Sequence, residues 1–168
     1  MKKLTILFFV MGILYLAVEV IWTALTSFPT QGWRLVGATS IWMLFVGGFL
    51  GVILGRFNQV NWIRKNLNVF WQCFLGSLTI TVIELVSGII LNMILGFNIW
   101  SYSGYFLNIL GQVCLPMSIC WFLFCPFIFW FDDILRYVLY REGNTYNLGS
   151  VYRDLICITK TTNYQKPV

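Results

Sequence analysis

The sequence predicts an all-α membrane protein, a bundle of about four transmembrane helices. Three observations predict it. Of the 168 residues, 59% are hydrophobic and only 10% charged, whereas a soluble domain carries about 25% charged residues. Mean hydropathy is +0.79, and the apolar residues fall into long runs that match the ~20 residues needed to cross a bilayer. The basic residues, finally, gather in alternate connections rather than spreading along the chain.

The first expected span covers about 4–25. Lys2 and Lys3 before an apolar run resemble the start of a signal peptide, but the run is long for one and contains Glu19, so it reads as a retained signal anchor. The second covers 35–55. The third, 69–95, exceeds the hydrocarbon thickness and is expected to tilt. The fourth is placed at 106–131, where Pro116 and Pro126 each remove a backbone hydrogen bond and favour a kink. Alternatively, residues 97–111 form a re-entrant or interfacial piece and the true span begins near Gln112. After it, Asp132 and Asp133 at one end and Arg141 at the other suit a short amphipathic helix, 132–141, lying at the inner interface. A polar tail, 142–168, follows.

Ten of the eleven basic residues then fall on one side of the bilayer: Lys2, Lys3, Arg56, Arg64, Lys65, Arg136, Arg141, Arg153, Lys160 and Lys166. Arg34 falls on the other. The positive-inside rule places both termini in the cytoplasm. It also explains the net charge of +5 without nucleic acid as a partner; the partner implied is the lipid bilayer.

Glu19 and Glu84 are the residues most informative about function, because a carboxylate in hydrocarbon costs ~2.5 kcal/mol or more on insertion scales. Each lies fifteen positions into an outward-running span, counted from Leu4 and Val69. At ~1.5 Å per residue they reach the same depth, just beyond the midplane, and can face one another. No lysine or arginine lies inside a span to pair with them; Arg34 is the nearest cation. Gln112, Asn108 and Asn92 supply amides at similar depth, and Gln112 is suited to bridge the two acids. One reading is a proton-, cation- or small-substrate-binding site on a transport path. The other is a set of hydrogen bonds that hold helices together.

Gly47, Gly51 and Gly55 recur every four residues and make a face that another helix can approach closely, within the bundle or between protomers of a homo-oligomer. Asn98, Trp100 and Tyr102 mark the outer loop, as an aromatic belt or a ligand grip. Several chemistries find no residues. Histidine is absent, none of the five cysteines forms a C-x-x-C pair, and G-x-x-x-x-G-K-[ST] does not occur. No enzyme activity, cofactor or metal is expected.

From Glu84 onward the residues ELVSGIILNMILGFNIWSYS, then FLNILGQVCLPMSICWFLF, then FDDILRY resemble the putative ABC-transporter type IV (CmpB-like) family of bacterial membrane proteins. The shared positions are Glu84, Gly88, Asn98, Trp100, Tyr102, Ser103, Asn108, Gly111, Gln112, Cys114, Leu115 and Pro116, and YLAVEVIW around Glu19 resembles the family's first helix. The likeness spans about Tyr15 to Tyr140. It implies a multi-pass, permease-like protein of a bacterial cell membrane, with a separate ATPase subunit on the cytoplasmic side. Two other readings compete: a membrane scaffold that binds a partner through its glycine face, and an oligomeric channel or holin-like pore.

Overall fold

The computed structural model describes residues 2–158, and the last ten residues of the expected tail, with Lys160 and Lys166, lie outside it. Four long apolar helices run between two ends. Here the end holding Lys3, Arg64 and Arg136 is termed the basic end, and the opposite one the far end. Helix α1 (Lys2–Thr26) runs to the far end, where a short α2 (Phe28–Gln31) and a 3-10 turn (Gly32–Arg34) reverse the chain. Helix α3 (Trp42–Asn58) returns. The short α4 (Asn61–Asn66) leads into α5 (Val69–Gly88), which continues as a π-helical stretch, Ile89–Ile94. An irregular loop with a two-residue hairpin, Asn108–Ile109 against Val113–Cys114, precedes α6 (Leu115–Tyr140). Helix α7 (Leu148–Cys157) closes the described chain. Three of these helices are long and apolar enough to cross a membrane, and α3 is a shorter apolar helix of 17 residues.

The pairing of α1 with α3 follows from small residues. A methyl group added at Gly47 would overlap Tyr15, and one at Gly51 would overlap Met11. The absence of side chains is thus what lets the backbones meet. Gly55 faces Asp132 and Arg136 on α6 in the same way. The expected glycine face is therefore spent inside the chain, which removes the surface on which a scaffold reading relied. On the other side α5 packs on α6, with Gly76 receiving Phe129 and Cys125. Leu54, Cys73, Ile80, Cys125 and Phe129 form the centre of the core.

The structure moves several expected boundaries. The second span begins at Trp42 rather than residue 35. Thr23 is the reason: its hydroxyl donates to the Ala38 carbonyl at 3.0 Å and accepts from the Ala38 N–H at 3.0 Å. Ser27 donates to the Val36 carbonyl at 3.2 Å. The segment before α3 is thereby held as extended chain against α1. The fourth span begins at Leu115, not 106, because Leu110 and Gly111 both adopt positive φ (53° and 67°) and the Gln112 N–H donates to Ile109 at 2.9 Å. That is a tight turn of the kind hairpins use, and it excludes a helix.

No separate interfacial helix occupies 132–141, where α6 continues unbroken to Tyr140. The acidic residues that suggested a new helix start are instead neutralised by Arg64 and Arg136, as described below. The amphipathic helix of this region is α7, within the expected tail, where Val151, Asp154 and Leu155 are buried against α5 and α6. Pro116 sits in the first turn of α6, where no bond is lost. Pro126 is inside the helix, and one turn before it the Leu123 carbonyl accepts the Tyr152 hydroxyl of α7 at 3.1 Å.

Candidate functional site

Glu84 on α5 is buried, 2% exposed. Its carboxylate accepts the Trp121 indole N–H of α6 at 3.1 Å and the Tyr102 hydroxyl of the far loop at 3.4 Å. Trp121 in turn stacks on Tyr15 of α1, ring centroids 5.8 Å apart. Glu84 is thus gripped from two sides by donors, the arrangement a buried carboxylate needs. Burial holds the Tyr102 phenol above its ordinary pKa, and the charges of Glu84 and Glu19 push it further the same way. Tyr102 is therefore a neutral donor at neutral pH.

Glu19, half-buried on α1, faces the same space. It and Glu84 line one cavity of about 170 Å³ near the far end, together with Thr39, Ser40, Trp100 and Tyr102. No lysine or arginine is among its lining residues. The Tyr15 hydroxyl is buried beside both acids.

The amides do other work. Gln112 does not bridge the acids. Its side-chain oxygen accepts from Asn92 at 2.8 Å and its nitrogen donates to the Leu110 carbonyl at 3.1 Å. Asn92 also donates to the Trp100 carbonyl at 3.1 Å and accepts the Ile99 N–H at 2.7 Å. The Trp100 indole completes the clasp by donating to the Gln112 carbonyl at 2.9 Å. The π-helical stretch of α5 carries Asn92 and thereby ties the far loop over the cavity. Asn108 is exposed and shapes the loop through bonds to Ser103, Tyr105 and Gly111. Asn98, at φ 49°, bonds the Gly96 carbonyl on the surface. Neither reaches the acids.

A second polar cluster lies at the basic end, and the sequence reading did not assign it. The two Nη2 contacts of Arg64 to Asp133 measure 2.7 and 2.6 Å, with both side chains under 10% exposed. Arg136 pairs with Asp132 at 2.8 Å. Gln59 donates to Asp133 at 3.1 Å and Tyr146 donates to it at 2.8 Å, while Arg64 also reaches the Asn58 carbonyl. Two acids and two arginines cancel, so the cluster buries no net charge. The four-residue spacing of Asp132 and Arg136 was the one signal that pointed to it. Trp121, the principal partner of Glu84, carried no signal beyond its indole N–H.

No solved structure matches the chain. The model of the family described as Putative ABC-transporter type IV matches residues 6–159, further in both directions than the sequence motifs alone extend. With its apolar helix bundle and that nearly complete match, the chain belongs to this ABC-transporter-type family of membrane proteins.

Proposed function

We propose that the chain is the membrane subunit of a transporter, and that its acidic cavity receives a positively charged, hydrogen-bond-donating solute. The observation that carries this reading is the shared cavity of Glu19 and Glu84 with no basic residue in its lining. Carboxylates are expensive within a bilayer and concentrate on ion and substrate paths. Two of them around one space make a negative field that a cation relieves. Trp100, Tyr102 and Tyr105 add aromatic faces of the kind that hold ammonium groups.

In this reading the basic end lies in the cytoplasm of a bacterial cell, as the distribution of lysine and arginine favours. The cavity then opens toward the outside. A separate ATPase subunit docks on the basic end, where α4 and α7 present Lys65 and Arg153 as exposed cations.

The test is protection of Glu84 from dicyclohexylcarbodiimide, a lipid-soluble reagent for carboxyl groups, read by mass spectrometry on the purified full chain in nanodiscs. Trimethylammonium ion, which donates a hydrogen bond but forms no amide with an activated carboxyl, should slow the modification, and Glu19→Gln should raise the concentration required by about tenfold, the factor for ~1.4 kcal/mol of lost attraction. Modification that is indifferent to trimethylammonium would overturn the assignment.

A further inference from the structure

The acidic cavity does not end at its polar walls. Ala38, Thr39, Ser40 and Ile99 line it and also line a second open space, to which Trp42 and Phe97 contribute. Trp42 and Phe97 stack there with ring centroids 5.6 Å apart. Trp42 also lines a third space, an apolar groove of about 380 Å³ between α3 and α5. Phe49, Ile53, Val86 and Ile90 are among its lining residues and are exposed. From Trp42 to Ile53 the groove follows α3 for about 16 Å at 1.5 Å per residue. It starts at the far end and descends toward the middle of the hydrophobic layer.

We propose that these three spaces form one site for a single-chain amphiphile with a cationic ammonium head, the head in the Glu19–Glu84 cavity and the alkyl chain along the α3–α5 groove. This rests on the transporter reading and names its substrate class. Charge complementarity selects the head: two carboxylates line the cavity, and Arg34, the basic residue of the far end among those described, does not line any of the three spaces. Direction selects the chain. A groove that leaves a polar pocket at one interface and runs parallel to the helices into hydrocarbon follows the path of a lipid tail, whereas a freely soluble cation uses only the pocket. Thr39 and Ser40 at the junction provide hydroxyls where an amphiphile changes from polar to apolar. Entry is then sideways from the bilayer, past Trp42.

The experiment uses the full chain in phosphatidylcholine nanodiscs with a diazirine-tagged hexadecylamine as probe. Cross-links should concentrate on 42–53 and 83–91, and untagged hexadecylamine should suppress them while hexadecanol does not. In the carbodiimide assay N,N-dimethylhexadecylammonium should protect Glu84 at a concentration lower than trimethylammonium by at least about tenfold, since the chain adds apolar burial. Val86→Trp, a change on an exposed groove wall that leaves both acids in place, should abolish the cross-links and keep protection by trimethylammonium. Equal suppression by hexadecanol, or cross-links spread evenly over the lipid-facing helices, would overturn the inference. If trimethylammonium protects as well as N,N-dimethylhexadecylammonium, the groove assignment fails and the acidic site stands. If neither protects, both fail.

Discussion

Arg64→Ala tests whether the basic-end cluster is an interior or a surface. Arg64 sits on the six-residue α4. Its guanidinium holds both oxygens of Asp133 at 2.6–2.7 Å, with the two side chains 8% and 6% exposed. Removing one partner of a buried pair strands the other charge and costs ~3–5 kcal/mol, against ~0–1 kcal/mol for an exposed pair. Asp133 keeps two neutral donors, Gln59 and Tyr146, so the expected loss lies at the lower bound, about 3 kcal/mol, or on the order of a hundredfold in the unfolding equilibrium. The assay is unfolding in mixed micelles titrated with sodium dodecyl sulfate, followed by tryptophan fluorescence. Arg64→Met combined with Asp133→Leu should recover more than half of the loss, because no charge is then stranded. A single-variant loss below about 1 kcal/mol would refute burial. A double variant no better than the single one would refute the ionic explanation and assign the cost to lost packing of α4.

Trp121→Phe removes the N–H that Glu84 accepts at 3.1 Å. Stability should fall by ~1.5–3 kcal/mol, the range for a bond to a charged group, and Glu84 should react faster with carbodiimide. Gly51→Leu places a side chain where Met11 already lies. The overlap should cost at least 1–3 kcal/mol and lower the yield of monodisperse protein on size exclusion. Asn92→Ala deletes bonds to Trp100, Gln112 and Ile99, at ~1 kcal/mol each. Hydrogen exchange of 96–112 should accelerate while exchange in α3 stays unchanged.

Hydropathy marks the helices well because lipid tolerates only apolar runs with satisfied backbones. It marks their ends poorly. The start of α3 depends on Thr23 of a different helix, and the start of α6 depends on the backbone angles of Leu110 and Gly111. Neither appears in an apolar window. Depth arithmetic put Glu19 and Glu84 at one level, and both line the same cavity. That arithmetic assumes a helix around Gln112, whereas Gln112 lies in the hairpin turn before α6, whose backbone angles aim its side chain. Gln112 accordingly went to Asn92. Asp132 and Asp133 were read as a helix start on sign and position alone; their partners come from α4 and from one turn further along α6.

Below the acids the bundle is stoppered. Between Glu84 and the arginine–aspartate cluster lie Ile80, Leu54, Phe129 and two buried cysteines, with an apolar space of about 40 Å³ among Met11, Leu50, Ile80 and Trp121. Apolar walls give a water too few polar partners to settle there, so the polar lining is interrupted between the two clusters. The void sits at the seam where the α1–α3 pair meets α5 and α6. In the transporter reading proposed above, a solute crossing to the basic end would have to part that seam, where the glycine-locked α1–α3 pair meets the rest of the bundle.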